Sequence, residues 1–398
     1  MFLPAKWGAC LGGLLLVVAT ACSPSPGPDP QSPQTNIPDA VEADGFAAKV
    51  VATRAEYGLI ALGAVVASRD GILDLAVDGV RSASARDPVE IGDQWHLGSN
   101  TKALTALLYG KLVDRGDAKW GASLPTLFPD FADRMDPAWA EITIEDLFAH
   151  RSGMKQLRNL WLMAQRSDER PITEQRYALA QETLLSPPQK DPSEFDYNNL
   201  NYIVAGAAIE TILKQQDDLP NSWEAAMQSL LFDALDDPAL RDDFGYGPPA
   251  TGIEGHSAVL GMFPSAVGRG LSADNPPVLG PAGTLHATLA AHATLALEFL
   301  KDDSAIVPAE LRQVLFAPFP DAESGYAMGW GVHDHSELGR LYQHSGSNTA
   351  WYSMIVIAPE LDRVVIVNTN VFNAGAQRAA NALARSVLEQ AANDRDDQ

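Results

Sequence analysis

The sequence predicts an α+β fold: one antiparallel β-sheet built from N- and C-terminal strands, flanked by helices, with a mostly helical region inserted between the two strand groups. Three observations predict it. Two strand-like runs, "LGAVVAS" and "ILDLAVDG", lie near the front and meet at an Asp70-Gly71 turn. Four runs rich in aromatic and β-branched residues lie near the end: "YAMGWGVHD", "GRLYQHS", "AWYSMIVIAP" and "DRVVIVNTN". Between about residues 117 and 300 the apolar residues recur at helical spacing.

The elements follow in order. Residues 1–22 carry one charge, Lys6, then an apolar run from Leu11 to Val18, then Ala19, Thr20 and Ala21 before Cys22. This is a secretory signal pattern, too short to span a bilayer. Its end reads as ordinary signal-peptidase cleavage or as a bacterial lipobox, in which Cys22 becomes lipidated. Residues 23–38 are rich in Pro and Ser without apolar periodicity, the composition of a disordered tether. A tether directly after a cysteine favours the lipid anchor, which places the protein in the cell envelope or periplasm of a bacterium. Cys10 leaves with the signal peptide, so residues 39–398, a single catalytic domain, have no disulfide.

Within that domain, "FAAKVVATRAEY" has helical spacing and precedes the hairpin. After Ser99, apolar Leu104, Leu107, Leu108, Leu112 and Val113 predict a helix buried on nearly all sides, stopped at Gly116. Thr143, with Glu145 and Asp146 behind it, opens a helix in "TIEDLFAHRSG". "NLNYIVAGAAIETILKQ" and "HATLALEFLKDD" are two more, and "AQRAANALARSVLEQAAN" closes the chain as a helix.

Composition limits the function. The 398 residues hold 28 Lys+Arg against 51 Asp+Glu, a formal charge of −23. Such a surface repels phosphate backbones, which excludes nucleic acid as a partner. No metal-binding motif of quality occurs; the pair His333 and His335 reads as a solvated turn. No cofactor motif stands out either. His96, His150, His286 and His292 read as structural histidines.

One short stretch carries chemistry. In "SNTK", Ser99 stands three residues before Lys102. Ser99 suits a helix N-cap, and Ser-x-x-Lys is cheap by chance: Ser152 to Lys155 repeats it without a helix behind. But residues three apart share a helix face, and a lysine at the start of a buried helix is desolvated. That lowers its pKa and offers a neutral amine to a serine hydroxyl. Two further groups follow: Tyr197-Asn198-Asn199 before a helix, and His344-Ser345-Gly346 at the end of a strand.

Ser-x-x-Lys, then Tyr-x-Asn about 100 residues on, then a Lys/His-x-Gly strand motif resembles the serine β-lactamase and penicillin-binding protein superfamily. The branch it resembles most contains class C β-lactamases, DD-carboxypeptidases, D-aminopeptidases and related esterases. "ITIEDLFAHRSGM", "GPAGTLHATLAAHATLALEFL" and "GYAMGWGV" also resemble stretches of that family, and the likeness runs from about residue 45 to 390. It implies a β-lactamase/transpeptidase-like fold and a serine hydrolase acting on a small ester, amide or peptide. It also implies site roles: Ser99 is acylated, Lys102 accepts or relays the proton, and Tyr197 shares the base role and serves the leaving group. Asn199 holds the substrate amide or steadies Lys102. His344 stands near Tyr197 on the side of the substrate carboxylate, as a weak and pH-dependent cation. The N–H groups of Ser99 and Ser347, beside Gly346, form the oxyanion hole. The absence of Lys-Thr-Gly and Lys-Ser-Gly lowers the expectation of efficient β-lactam hydrolysis. A fold-retaining binding lipoprotein is the alternative from another class. Spacing leaves the substrate and the oligomeric state open.

Overall fold

The structure is a computed structural model that describes residues 45–157, 159–257 and 264–396. The signal pattern, Cys22 and the tether lie outside the described residues.

The predicted hairpin is β1 (Ala61–Ser68) and β2 (Gly71–Gly79). Short strands β3 (Gln94–His96), β4 (Phe244–Tyr246), β5 (His256–Ser257), β6 (Ser265–Ala266) and β7 (Leu285–Thr288) follow. The C-terminal group is β8 (Gly331–His335), β9 (Gly339–Gly346), β10 (Tyr352–Ala358) and β11 (Arg363–Thr369). The main sheet has the order β2-β1-β11-β10-β9-β8, all antiparallel, so early and late strands share one sheet as predicted.

Alternation along the central strands sends side chains to two apolar layers. Val65 and Ala67 of β1 and Val364 and Ile366 of β11 face the helical region. Leu62, Ala64, Val365 and Val367 face the other way, onto the terminal helices Phe46–Glu56 and Ala374–Asp396. Both faces are covered, which is why β1 is buried along its whole length.

The helix after Ser99 runs from Thr101 to Arg115 and is buried at all of its first ten positions. Gly116 ends it in the left-handed conformation, φ 86°. Thr143 opens Ile144–Phe148, as the sequence suggests, and the structure adds a capping box between Thr143 and Asp146. Three features differ from expectation. Ser99 is not the cap: it lies in a 3₁₀ turn, Gly98–Asn100, and Asn100 holds the N-cap position without a side-chain cap bond. The "YAMGWGVHD" run is a strand only from Gly331, because Gly329, at φ 84°, turns the chain against the backbone of Ala103. Finally, a second sheet, β3-β7-β4, ties two strands of the inserted region to β3 ahead of it and joins residues separated by nearly 200 positions.

Candidate active site

Four elements meet at Ser99. The 3₁₀ turn presents its side chain, and the buried helix brings Lys102 under it. The helix Asn199–Leu213 brings Asn199 with Tyr197 just ahead of it, and β9 brings His344 and Gly346.

Lys102 Nζ lies 2.9 Å from Ser99 Oγ, 2.8 Å from Asn199 Oδ1 and 2.6 Å from the carbonyl of Ala282. The amine is fully buried. Desolvation holds its pKa well below the ordinary lysine value, and no carboxylate opposes that shift. As a neutral amine it donates to Asn199 and Ala282 and keeps its lone pair for the Ser99 hydroxyl. Asn199 Oδ1 accepts from Lys102, the contact that the second of its two implied roles requires.

The Tyr197 ring centre is 4.9 Å from Lys102 Nζ. About 39% of the residue is exposed at the mouth of the site, yet its hydroxyl end is enclosed, and burial raises the phenol's pKa. The two shifts act together. Burial favours the neutral amine and the neutral phenol, so the proton rests on Tyr197 and the vacancy on Lys102.

His344 requires a correction. It is buried, and desolvation, aided by Lys102, pushes its pKa down to about 3. The ring is therefore neutral, not a pH-dependent cation on the carboxylate side. It packs 6.1 Å from the Tyr197 ring, as expected, but its nitrogens are taken up by Tyr326 Oη at 3.1 Å and Asn100 Oδ1 at 3.3 Å.

The backbone N–H groups of Ser99 and Ser347 come together because two glycines allow it. A Cβ on Gly346 would sit 1.9 Å from the Leu97 carbonyl and 2.6 Å from Ser99 N. A Cβ on Gly98, at φ 52°, would sit 2.4 Å from Ser347 N. Among the described residues neither N–H donates to a protein acceptor. Any side chain here forces the turn and strand apart. Gly346→Ala is expected to lower kcat by on the order of a hundredfold, the effect of misplacing reacting groups by about 1 Å. Turnover of a p-nitrophenyl ester by the variant checks this.

The remaining candidates separate cleanly. Ser152 donates to Asn201 and Lys155 lies near Glu182 on the surface, so the second Ser-x-x-Lys builds no site. His335 accepts from Glu337 and Leu338 N–H and closes a turn. His150 was expected to be structural and is, but it stands behind the site. At φ 60° it accepts from the N–H of Asn198 at 3.2 Å, and its ring lies 4.3 Å from that of Tyr197, tilted by 45°. Sequence reasoning also missed Tyr326, Asn100 and the Ala282 carbonyl. Their partners lie 18, 244 and 180 positions away.

The β-lactamase family model matches residues 46–389. The chain belongs to the β-lactamase family. Solved structures similar to this family member include SurE, 21% identical with a TM-score of 0.68, covering 87% of this chain and 75% of that one. A D-amino acid amidase from Ochrobactrum anthropi SV3, complexed with L-phenylalanine amide, is 18% identical with a TM-score of 0.66, covering 88% and 98%. A class C β-lactamase from Rhodobacter sphaeroides is 18% identical with a TM-score of 0.65, covering 86% and 99%. These likenesses show a shared fold. Among curated proteins, the unguisins hydrolase ungD of Aspergillus violaceofuscus is 28% identical over 147 residues, which are 35% of this chain and a quarter of that relative.

Proposed function

We propose that this β-lactamase-family chain is a serine hydrolase that cleaves a small ester, amide or peptide through an acyl group on Ser99. The observation that carries this reading is the buried, carboxylate-free amine of Lys102, 2.9 Å from Ser99 Oγ. Ser99 Oγ attacks the acyl carbon while Lys102 Nζ takes the hydroxyl proton. The developing oxyanion sits on the Ser99 and Ser347 N–H groups. Tyr197, held protonated, delivers a proton to the leaving oxygen or nitrogen as its bond to the acyl carbon breaks. Water then attacks the ester on Ser99, giving its proton to the base pair, and the acid leaves as Ser99 Oγ is reprotonated.

The neutral His344 supports an uncharged or amine-bearing substrate over one anchored by a carboxylate. Esters and D-amino-acid amides therefore rank ahead of β-lactams and D-Ala-D-Ala peptides, which both present a carboxylate, and the D-amino acid amidase fold neighbour fits that order. The test is covalent labelling. A fluorophosphonate is expected to add to Ser99, located by peptide mass mapping. A protein that takes no label and hydrolyses no p-nitrophenyl ester is not this enzyme.

We also propose a bacterial lipid anchor at Cys22, on the strength of the signal pattern and the Pro/Ser tether alone. In a bacterial host, palmitate label is expected on the full chain and absent from Cys22→Ser. Equal labelling of both would remove the proposal.

A further inference from the structure

His96 and Asp274 lie outside the acylation machinery and are almost wholly buried, with side chains 0% and 2% exposed. Their placement bears on both oxyanion donors. His96 ends β3, two residues before Gly98, and its Nδ1 accepts the Gly98 N–H at 3.0 Å. That bond fixes the tautomer. Nδ1 carries no proton, so Nε2 carries one and donates it to Asp274 Oδ2 at 2.7 Å. The other oxygen, Asp274 Oδ1, accepts from Asn348 Nδ2 at 2.7 Å and from the Asn275 N–H at 2.6 Å. Asn348 directly follows Ser347, and its own Oδ1 accepts the Ala350 N–H at 3.2 Å. Arg166 Nη2 holds the Asp274 carbonyl at 2.7 Å.

One carboxylate thus ties together two backbone segments. Through His96 it grips the turn that carries the Ser99 N–H. Through Asn348 it grips the strand exit that carries the Ser347 N–H. The two segments come close where Gly98 and Gly346 let them, and nothing covalent holds their spacing. An oxyanion hole works only if its donors are aimed before the charge develops. We infer that Asp274, acting through His96 and Asn348, is the positioning residue that sets the spacing and aim of the two oxyanion donors. The inference rests on the hydrolase reading above.

The carboxylate matters because every neighbour donates. Asp274 offers two acceptor oxygens; an amide offers one. Asp274→Asn must turn an N–H₂ toward either His96 Nε2–H or Asn348 Nδ2. One arm of the clamp is then lost while side-chain volume is kept.

The test uses the full-length protein, a p-nitrophenyl ester and an alkylboronic acid whose tetrahedral adduct on Ser99 occupies the oxyanion hole. For Asp274→Asn, kcat is expected to fall about 10- to 100-fold, with KM within about threefold and the boronate Ki rising in parallel with the loss in kcat/KM. A residue that only supports the fold would lower melting temperature and active fraction but leave both constants unchanged per labelled Ser99. Unchanged kcat, a loss confined to KM, or a fall in kcat with constant boronate Ki each overturn the inference. If Asp274→Asn does not fold, His96→Gln takes its place: it keeps a donor toward Asp274 and drops the Gly98 bond, and the same split is expected. Wild-type labelling at Ser99 tests the hydrolase reading separately. Should the wild type turn over no ester, boronate affinity by calorimetry decides alone, and a wild type that binds no boronate has no oxyanion hole for Asp274 to set.

Discussion

Ser99→Ala is expected to lower kcat/KM by at least about 10⁴-fold while leaving the fold intact. Among the described residues, Ser99 supplies the one hydroxyl hydrogen-bonded to Lys102 Nζ, beside the converging N–H groups of Ser99 and Ser347. Residual activity then comes only from substrate binding and oxyanion stabilisation of attack by water. The substitution removes one oxygen from a side chain that is only half-buried and caps nothing. Lys102 keeps its bonds to Asn199 and Ala282. Melting temperature is therefore expected to stay within a few degrees of wild type, and fluorophosphonate labelling to vanish. A variant that retains a tenth of wild-type turnover would show that Ser99 is not the nucleophile.

Lys102→Arg is expected to lower kcat/KM by on the order of a thousandfold, within the range a general base contributes, with no rescue from its positive charge. The reason lies in which protonation state is useful. In a dry site without a carboxylate, the lysine ammonium loses its proton at a pH well below the ordinary value. Guanidinium does not lose its proton at any pH that proteins survive. The pH profile makes the sign explicit. At acid pH Lys102 is protonated and cannot accept from Ser99, so wild-type kcat/KM is low. It rises as pH passes the depressed lysine pKa and then levels. His344, neutral above about pH 3, contributes no limb in the working range. Lys102→Arg is expected to lose the rising limb. A full rescue by arginine would mean that the charge of Lys102, not its basicity, is what the reaction uses.

Several elements were legible because they depend on neighbours in the chain. The hairpin at Asp70-Gly71, the buried helix to its Gly116 stop, and the helix opened by Thr143 are set by local spacing and local hydrogen bonds. The motifs at Ser99, Tyr197 and His344 were readable through their resemblance to a known family, each being weak alone. Ser99 itself shows the limit. A serine before an apolar run has the makings of an N-cap, yet a 3₁₀ turn intervenes and its oxygen faces Lys102 instead of a backbone N–H. The small β3-β7-β4 sheet was missed because strands of three or four residues carry too little alternation to register.

By itself the sequence determined the α+β order, the two strand groups and the helical insert between them, and it named Ser99, Lys102, Tyr197, Asn199 and His344. Periodicity, a property of contiguous residues, set the elements, and the resemblance of the motifs to a known family pointed to the site residues. The depressed pKa of Lys102 was legible too, from its place at the head of a buried helix; only the tertiary structure decided the states of Tyr197 and His344. The Lys102 amine, the Tyr197 phenol and the neutral His344 ring owe their states to desolvation by elements from across the chain. The spacing of the oxyanion donors likewise depends on Gly98 against Gly346 and on Asp274 against His96, contacts that span 248 and 178 positions. Burial and through-space distance are not encoded at any one site in a sequence; they exist only once the chain has closed on itself.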